Sequence, residues 1–231
     1  MGAPVYHSST EYNKTNFSSG SVGSFTFTAG YDNPVLIVIA LSKDDAAITC
    51  DAITYNGLSL TKISSRTATN YTYGCYAEAA IYYLLDPPEG SAYTIAATMN
   101  QAAQYVAFHA LVISDCYPNR LVNTYHRTTS SSYDPTHNIT TDRNNCLIIG
   151  CHATCDQPLG IREQFTSSQT IIQRDGDNGY AFSSARETAS TLGTYDSTFH
   201  HGDYGAGGPK TALLAVAFNE YRKPHIPPVW F

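Results

Sequence analysis

The sequence predicts an all-β protein, an antiparallel β-sandwich of jelly-roll-like strand content with little helix. Asn56-Gly57 lies between two runs of β-branched and aromatic residues, and both turn residues tolerate a positive φ, so the pair indicates a tight hairpin. Pro87-Pro88 must end the preceding strand, because proline fixes φ and lacks a ladder donor. Many short apolar or alternating runs, separated by polar turns and without a sustained helical period, complete the sandwich pattern.

The first half of the chain predicts strands at short intervals. Residues 1–23 are polar and predict an N-terminal arm or short edge strand, and 24–28 alternates as a strand. The continuous apolar run at 35–42 has the length of a central strand. Further strands are predicted over 48–55, 58–65, 74–85, 92–99 and 104–115. The alanines within 102–110 also permit a helix there, although the β-rich composition favours a strand.

The second half repeats part of this pattern. Polar residues dominate 115–145, and 146–153 predicts another buried strand. Strands are also predicted over 169–174, 180–187, 191–195 and 211–219, with a glycine-rich loop at 202–209. The run at 35–40 is echoed at 146–150, and 105–108 at 215–218, which predicts two sheets with equivalent central strands. We therefore predict one sandwich domain over 24–219, an N-terminal arm or edge strand over 1–23, and an extended C-terminal arm over 220–231.

Composition and charge argue against several classes of function. The net charge is −6 and the largest basic group is Arg222-Lys223, so we expect no direct binding to nucleic acid. The longest apolar run, 35–41, is too short to span a bilayer, and we expect no membrane association. Residues 1–8 lack the features of a signal peptide, although export through a removed or unconventional signal stays open. Only 14% of the residues are charged and 18 are tyrosines. This composition is typical of a protein–protein interface, and it also fits a sheet-rich protein whose surface carries many hydroxyl groups.

The cysteines are predicted to be reduced, buried thiols. Six are present, enough for three disulfides, but a chain of 231 residues does not need them. The missing signal peptide favours a reducing compartment. Cys151-His152 and Cys155 lack the second ligand pair of a structural zinc site, and strand alternation would send Cys146 and Cys151 to opposite faces. We therefore predict no bound zinc.

Other candidate residues point to turns and loops rather than to chemistry. His200-His201 with Asp203 could bind a metal or act as acid and base, but adjacent side chains on an extended chain point apart. Asp44-Asp45 and 175–179 resemble calcium loops, yet the second lacks EF-hand spacing and a turn is favoured, with weak surface calcium left open. No nucleophile elbow, P-loop or dinucleotide motif is present. We predict no catalytic residue, no cofactor, no metal site and no enzymatic activity.

The C-terminal tail is the segment for which a partner-binding role is predicted. Two prolines stiffen it, and it ends in the only tryptophan of the chain followed by a phenylalanine. This apolar pair either packs on its own domain or inserts into a neighbouring subunit, and tryptophan is a strong interface anchor. The predicted partner-binding residues are Pro227, Pro228, Trp230 and Phe231.

Three segments carry a family resemblance. The segment 53–62, with Tyr55-Asn56-Gly57 and Leu60-Thr61-Lys62, is followed by 81–84 and by 87–90. Together they resemble a β-sandwich domain of tailed-phage virion proteins and bacterial surface proteins, over about residues 24–114. The chain departs from that family at Tyr82, where tryptophan is common. The resemblance implies a structural or adhesive module and carries over no catalytic residue.

The expected function is therefore that of a structural virion protein. We expect a capsid decoration (cement) subunit or a head- or tail-associated subunit, acting through protein–protein contacts with the major capsid protein or other virion proteins. It would be a homo-oligomer or repeated subunit of a virion assembled in the host cytoplasm. The alternative is a carbohydrate- or receptor-binding module, secreted or on a cell surface, whose tyrosines and Asn/Asp loops would serve sugar stacking.

Overall fold

A computed structural model describes residues 4–26, 30–71, 74–116, 124–129, 136–155, 164–165, 169–177, 180–200 and 210–219. In these ranges the chain forms fifteen strands. Every pair of neighbouring strands is antiparallel. The described residues contain no helix, and accordingly none of the length and apolarity that a membrane span requires. The predicted all-β antiparallel fold is confirmed.

The strands divide the chain as follows. They are β1 (Val5–Phe25), β2 (Val35–Asp44), β3 (Cys50–Tyr55), β4 (Leu58–Ser59), β5 (Thr61–Asn70), β6 (Cys75–Leu85), β7 (Tyr93–Ser114), β8 (Thr124–Thr129), β9 (Thr136–Thr141), β10 (Cys146–Cys155), β11 (Gln164–Phe165), β12 (Thr170–Asp177), β13 (Tyr180–Ala189), β14 (Gly193–His200) and β15 (Lys210–Phe218).

The first sheet is built around β7, which is 22 residues long. Its order is β4-β3-β7-β2-β6-β5, and β1 pairs with the other edge of β7. The first half of β7 pairs with β3 and the second half with β2. The β1–β7 ribbon changes register between Phe17 and Ser19, where Asn16 and Gly20 have φ of 51° and 123°. The sheet therefore folds back on itself and becomes nearly closed, like a barrel.

Contacts across this fold-back hold the two halves of the ribbon together. The ring of Phe17 meets that of Phe108 edge-on, with centroids 5.8 Å apart. The ring of Tyr12 lies directly over Gly23, where a Cβ atom would overlap it. The Tyr12 hydroxyl also donates a hydrogen bond to the carbonyl of Ser24. Gly23 is thus needed for a close approach within β1 itself.

Two smaller sheets complete the molecule. The second sheet has the order β12-β13-β10-β15-β8, and the third has the order β11-β14-β9. In the second sheet β10 lies between β13 and β15, as β2 lies between β6 and β7 in the first. The sequence echo therefore marks two central strands in equivalent positions, as predicted.

Three hydrophobic clusters separate the layers. The inter-sheet cluster lies between the first and second sheets and includes Val35, Ile37, Ile39, Leu147, Ile149, Phe182 and Phe218. The inner cluster lies inside the nearly closed first sheet and includes Leu36, Val38, Tyr55, Tyr82, Ile95 and Phe108. The third-sheet cluster lies between the second and third sheets and includes Ile139, Ile148, Ala215 and Tyr195. Because β2 contributes to two clusters, both of its faces are buried, which explains the continuous apolar run at 35–42.

Several local predictions are corrected. The two strands predicted over 92–99 and 104–115 are the single strand β7, and 102–110 is extended rather than helical, since both edges of β7 carry strand partners there. From Val5 onward the predicted N-terminal arm or short edge strand is a strand of 21 residues.

The Asn56-Gly57 turn is confirmed, with φ of 50° and 76°. The predicted arm at 220–231 lies outside the described residues.

The prediction that every cysteine is reduced is wrong for one pair. Cys75 begins β6 in the first sheet, Cys155 ends β10 in the second, and the two form a disulfide. The remaining cysteines, Cys50, Cys116, Cys146 and Cys151, are free and buried. The prediction failed because packing of the two sheets brings together thiols that are 80 residues apart in sequence.

Candidate functional site

A line of polar side chains crosses the apolar space between the first and second sheets. Ser184 Oγ on β13 lies 2.8 Å from Nδ1 of His109 on β7. The other ring nitrogen, Nε2, lies 3.5 Å from Glu11 Oε1 on β1. Glu11 is directly opposite His109 in the β1–β7 pairing, so both side chains lie on one face of the sheet. His109 is fully enclosed, whereas the side chain of Glu11 is 19% exposed.

His109 is hydrogen-bonded at Nδ1 by Ser184, whereas its Nε2 and Glu11 Oε1 approach each other as an ion-pair contact without hydrogen-bond geometry. Burial raises the pKa of Glu11, but hydrogen bonding and charge from His109, with a further hydrogen bond from Asn13, outweigh it and the pKa lies below its usual value. The carboxylate of Glu11 is therefore ionised at neutral pH.

The residue types match those of a nucleophile, a base and an orienting acid, but the surroundings do not suit catalysis. A serine nucleophile has to meet its substrate. Ser184 and His109 are both 0% exposed, and the neighbouring residues of their strands, among them Leu111 and Phe182, belong to the inter-sheet cluster. The arrangement is suited to aligning two sheets across an apolar interface.

A second polar network lies at the inner cluster of the first sheet. Glu78 on β6 is 1% exposed, and its Oε2 accepts a hydrogen bond from the Cys50 amide over 2.5 Å. The Cys50 carbonyl accepts hydrogen bonds from Lys62 Nζ and the Tyr82 hydroxyl, each over 2.5 Å. The Lys62 ammonium lies 5.2 Å from the centre of the Tyr82 ring. These contacts tie β3, β5 and β6 together where the sheet nearly closes.

Burial changes the acid–base behaviour of this network. Burial raises the pKa of Glu78 to about 7, against the opposing effects of the Cys50 amide and the charge of Lys62. Burial also raises the pKa of the Cys50 thiol to about 12 and raises the pKa of Tyr82. Cys50 is therefore a protonated thiol at neutral pH, and only the thiolate is a nucleophile. Glu78 is the member of the network that exchanges a proton near neutrality.

Histidine–serine pairs recur elsewhere in the described residues. His152 Nδ1 lies 2.7 Å from Ser183 Oγ, its direct cross-strand neighbour. His7 Nε2 lies 2.8 Å from Ser114 Oγ, and its ring stacks on Tyr31 with centroids 3.6 Å apart. Desolvation lowers the pKa of His7, although the charge of Asp115 acts in the opposite direction. Each of these two pairs joins neighbouring strands of one sheet, β10 with β13 and β1 with β7.

The fold does not bring together the cysteines and the histidine that the sequence analysis considered as metal ligands. Cys146 belongs to the third-sheet cluster and Cys151 to the inter-sheet cluster, so they lie on opposite faces of β10, as predicted. Cys155 is bonded to Cys75, and His152 is hydrogen-bonded to Ser183. Over the part of the chain that the structure describes, no group of three or more His, Cys, Asp or Glu side chains could hold a metal ion.

The acidic pair Asp44-Asp45 joins two strands instead of forming an open calcium loop. Asp44 Oδ2 accepts a hydrogen bond of 3.2 Å from the backbone amide of Gln104. Asp45 Oδ2 accepts one of 2.7 Å from the side-chain Nε2 of the same residue. Lys43 Nζ lies 3.3 Å from Asp45 Oδ1 and donates to Gln104 Oε1 over 2.8 Å. These side chains fasten the end of β2 to β7.

The other candidates lie partly or wholly outside the described residues. Residues 175–177 belong to β12, and Asp177 pairs with Tyr180 across residues 178–179, which are outside them. His200 ends β14, while His201 and Asp203 are outside. The predicted partner-binding residues Pro227, Pro228, Trp230 and Phe231 are outside as well.

Sequence reasoning missed the residues of both polar networks. A usable signal exists, since a single polar residue interrupts an apolar strand at His109, between Phe108 and Ala110, and at Glu78, between Ala77 and Ala79. Buried polar groups require partners. The identity of those partners depends on how the sheets pack.

Comparison with known proteins identifies no relative of this chain. No family model matches the chain, and neither a curated protein nor a solved structure matches it significantly. The function is therefore inferred from the geometry and from the sequence patterns.

Proposed function

We propose that this chain is a structural virion subunit, a capsid decoration or head- or tail-associated protein that acts through protein–protein contacts. The observation that carries the proposal is the enclosure of His109 and Ser184 between two sheets. A Ser–His–Glu combination placed where no substrate can reach it serves the scaffold, and the Glu78 network does the same inside the first sheet.

The described surface supports a contact role. Large apolar or aromatic side chains protrude at hairpin turns, with Leu58 48% exposed after the Asn56-Gly57 turn and Tyr71 87% exposed after β5. Leu192, between β13 and β14, is 62% exposed. Aromatic side chains in protruding positions are typical anchors of protein interfaces. A charged content of only 14% lets many copies pack with few charges to desolvate.

The long edge strand β1 adds an extended polar surface. It pairs with β7 alone among the described strands, and its exposed positions from Asn13 to Ser21 carry hydroxyl, amide or glycine residues. Register changes and the left-handed Asn16 interrupt this edge. Such irregularities oppose indiscriminate strand addition and leave side-chain contacts as the means of association.

The proposal is tested by locating the protein on particles. Antibodies raised against the full chain are used for immunogold electron microscopy of virus particles from the source, with pre-immune serum as control. We expect label at repeated positions on heads or tails, and recombinant chain that cosediments with particles. Particles without label and without cosedimentation would contradict the proposal. Saturable binding on a glycan array would favour the alternative of a carbohydrate-binding module.

A further inference from the structure

Cys75 and Cys155 join the two sheets of the sandwich covalently. Cys75 is the first residue of β6 and Cys155 the last of β10, and their Cα atoms are 5.7 Å apart. Both side chains belong to the inter-sheet cluster, Cys75 being 4% exposed and Cys155 0% exposed. Among the described residues this is the only covalent link between the sheets.

The sheets are also held together without this bond. The inter-sheet cluster packs β2, β6 and β7 against β10, β13 and β15, and the His109–Ser184 hydrogen bond crosses the same space. Non-covalent packing of this extent would bring the two thiols together without the bond. The bond then fixes an arrangement that the side chains have already specified.

The four remaining thiols are poor competitors for oxidation. Thiol–disulfide exchange requires a thiolate and access to it. Burial raises the pKa of Cys50 to about 12 and of Cys146 to about 11, and it raises the pKa of Cys116 and Cys151 as well. All four are 0% exposed, as is Cys155, whereas Cys75 at 4% is the one cysteine with exposed surface and is therefore the thiol that an external disulfide reaches first. The native fold thus leaves one pair of thiols, Cys75 and Cys155, close enough to bond.

We propose that Cys75 and Cys155 form an oxidative maturation site: the chain folds with both thiols reduced, and the disulfide then closes and locks the first sheet to the second. The oxidant is a low-molecular-weight disulfide of the glutathione class. The Cys75 thiolate attacks it and releases one thiol. The Cys155 thiolate then attacks the Cys75 sulfur of the mixed disulfide and releases the second thiol. The two protons of the protein thiols end on the two released thiols, so atoms and electrons balance.

This sequence of events places the locked form in an oxidising environment. Disulfides persist outside the reducing cytosol. A subunit that assembles in a host cell would therefore be locked only after release, and an exported protein would be locked on export. The inference concerns the covalent state of the chain and holds independently of the proposed virion role.

The test uses the full chain purified under reducing conditions. Native reduced protein is incubated with oxidised glutathione, denatured, alkylated and analysed by mass spectrometry. We expect four alkylated cysteines and a peptide cross-link between Cys75 and Cys155. Six alkylated cysteines, or a different linked pair, would overturn the proposal.

Stability provides a second readout. We expect the oxidised chain to melt about 10 °C above the reduced chain, since a disulfide that closes a long loop constrains the unfolded state. The double variant Cys75→Ala, Cys155→Ala should lose this dependence on reductant, while Cys116→Ala should keep it. Equal melting temperatures for oxidised and reduced wild-type chain would refute the lock, whether or not the double variant folds.

Discussion

His109 Nδ1 and Ser184 Oγ, 2.8 Å apart, form a buried polar contact between β7 of the first sheet and β13 of the second. The hydrophobic effect that joins the two sheets at the inter-sheet cluster is not directional, so it specifies their alignment less sharply than a hydrogen bond does. A buried hydrogen bond does not tolerate it, since a displaced partner leaves an unsatisfied group. This contact therefore helps to define the alignment of the two sheets.

Replacing Ser184 by alanine should destabilise the fold. The substitution leaves His109 Nδ1 without its buried partner, and such a loss costs about 1–3 kcal/mol. Urea denaturation followed by circular dichroism measures the free energy of unfolding. Ser18→Ala, at an exposed position of β1, is the matched control and should change stability by less than about 0.5 kcal/mol. Equal effects of the two substitutions would rule out an aligning role for the His109–Ser184 contact.

Glu78 should make the protein less stable as the pH rises toward neutrality. Its pKa in the folded state is about 7, above the ordinary value of 4.5, so the folded chain binds this proton more tightly than the unfolded chain. The free energy of unfolding then falls between about pH 4.5 and pH 7 and is level above that range. From the raised pKa, the contribution of Glu78 is on the order of 3 kcal/mol across the window.

The variant Glu78→Gln isolates this effect. We expect the difference in unfolding free energy between wild type and variant to change between pH 4.5 and pH 7, while Asp142→Asn, which removes an exposed carboxylate, should follow the wild-type curve. His7, whose pKa is lowered, acts with the opposite sign in both proteins and cancels in the difference. Parallel curves for wild type and Glu78→Gln would show that Glu78 does not titrate in this range.

Local signals explain which parts of the fold were predictable. Asn56-Gly57 and the apolar run of β2 are specified by residues adjacent in sequence, so turn and strand were both predicted. Separate strands were predicted over 92–99 and 104–115, but β7 is continuous, because β1 pairs with it up to Thr98 and again from Ala103. The short strands β8, β9 and β11 were not predicted because polar residues predominate in their neighbourhood and give no periodic signal.

The candidate site depended on long-range packing and was not predictable in the same way. Ser184 is 75 residues from His109, and only the docking of two sheets brings them into contact. Cys75 and Cys155, 80 residues apart, are likewise brought together only by the packing of the two sheets. The odd sequence spacing of Cys146 and Cys151 correctly predicted that they lie on opposite faces, because both residues belong to one strand, in which side chains alternate.

A side chain at Gly23 should damage the fold-back of the β1–β7 ribbon. A Cβ atom there overlaps the ring of Tyr12, whose hydroxyl is held by the Ser24 carbonyl. We expect Gly23→Ala to cost about 1–3 kcal/mol, as overpacking usually does. Gly193→Ala is the control, because its Cβ meets no atom within 4 Å. The double variant Tyr12→Ala, Gly23→Ala should show a coupling energy in a mutant cycle, and strict additivity would contradict the steric explanation.

The last prediction concerns the C-terminal arm, whose residues lie outside the described part of the chain. Trp230 and Phe231 are its apolar anchors in the proposed assembly, and burial of one such side chain contributes about 2 kcal/mol or more. Deletion of residues 224–231 should therefore weaken cosedimentation with particles at least tenfold, because about 1.4 kcal/mol corresponds to a factor of ten in affinity.

The truncated chain should keep the far-UV circular dichroism and the melting temperature of the full chain, since in the proposed assembly the arm contacts a partner rather than its own domain. Substitution of both basic residues, Arg222→Ala and Lys223→Ala, is the control within the same tail. It should change particle binding less than the deletion, because a single ion pair contributes less to affinity than an anchoring tryptophan. Unchanged binding by the truncated chain would remove the arm from the interface. A truncated chain that melts earlier by several degrees would place Trp230 and Phe231 on their own domain instead.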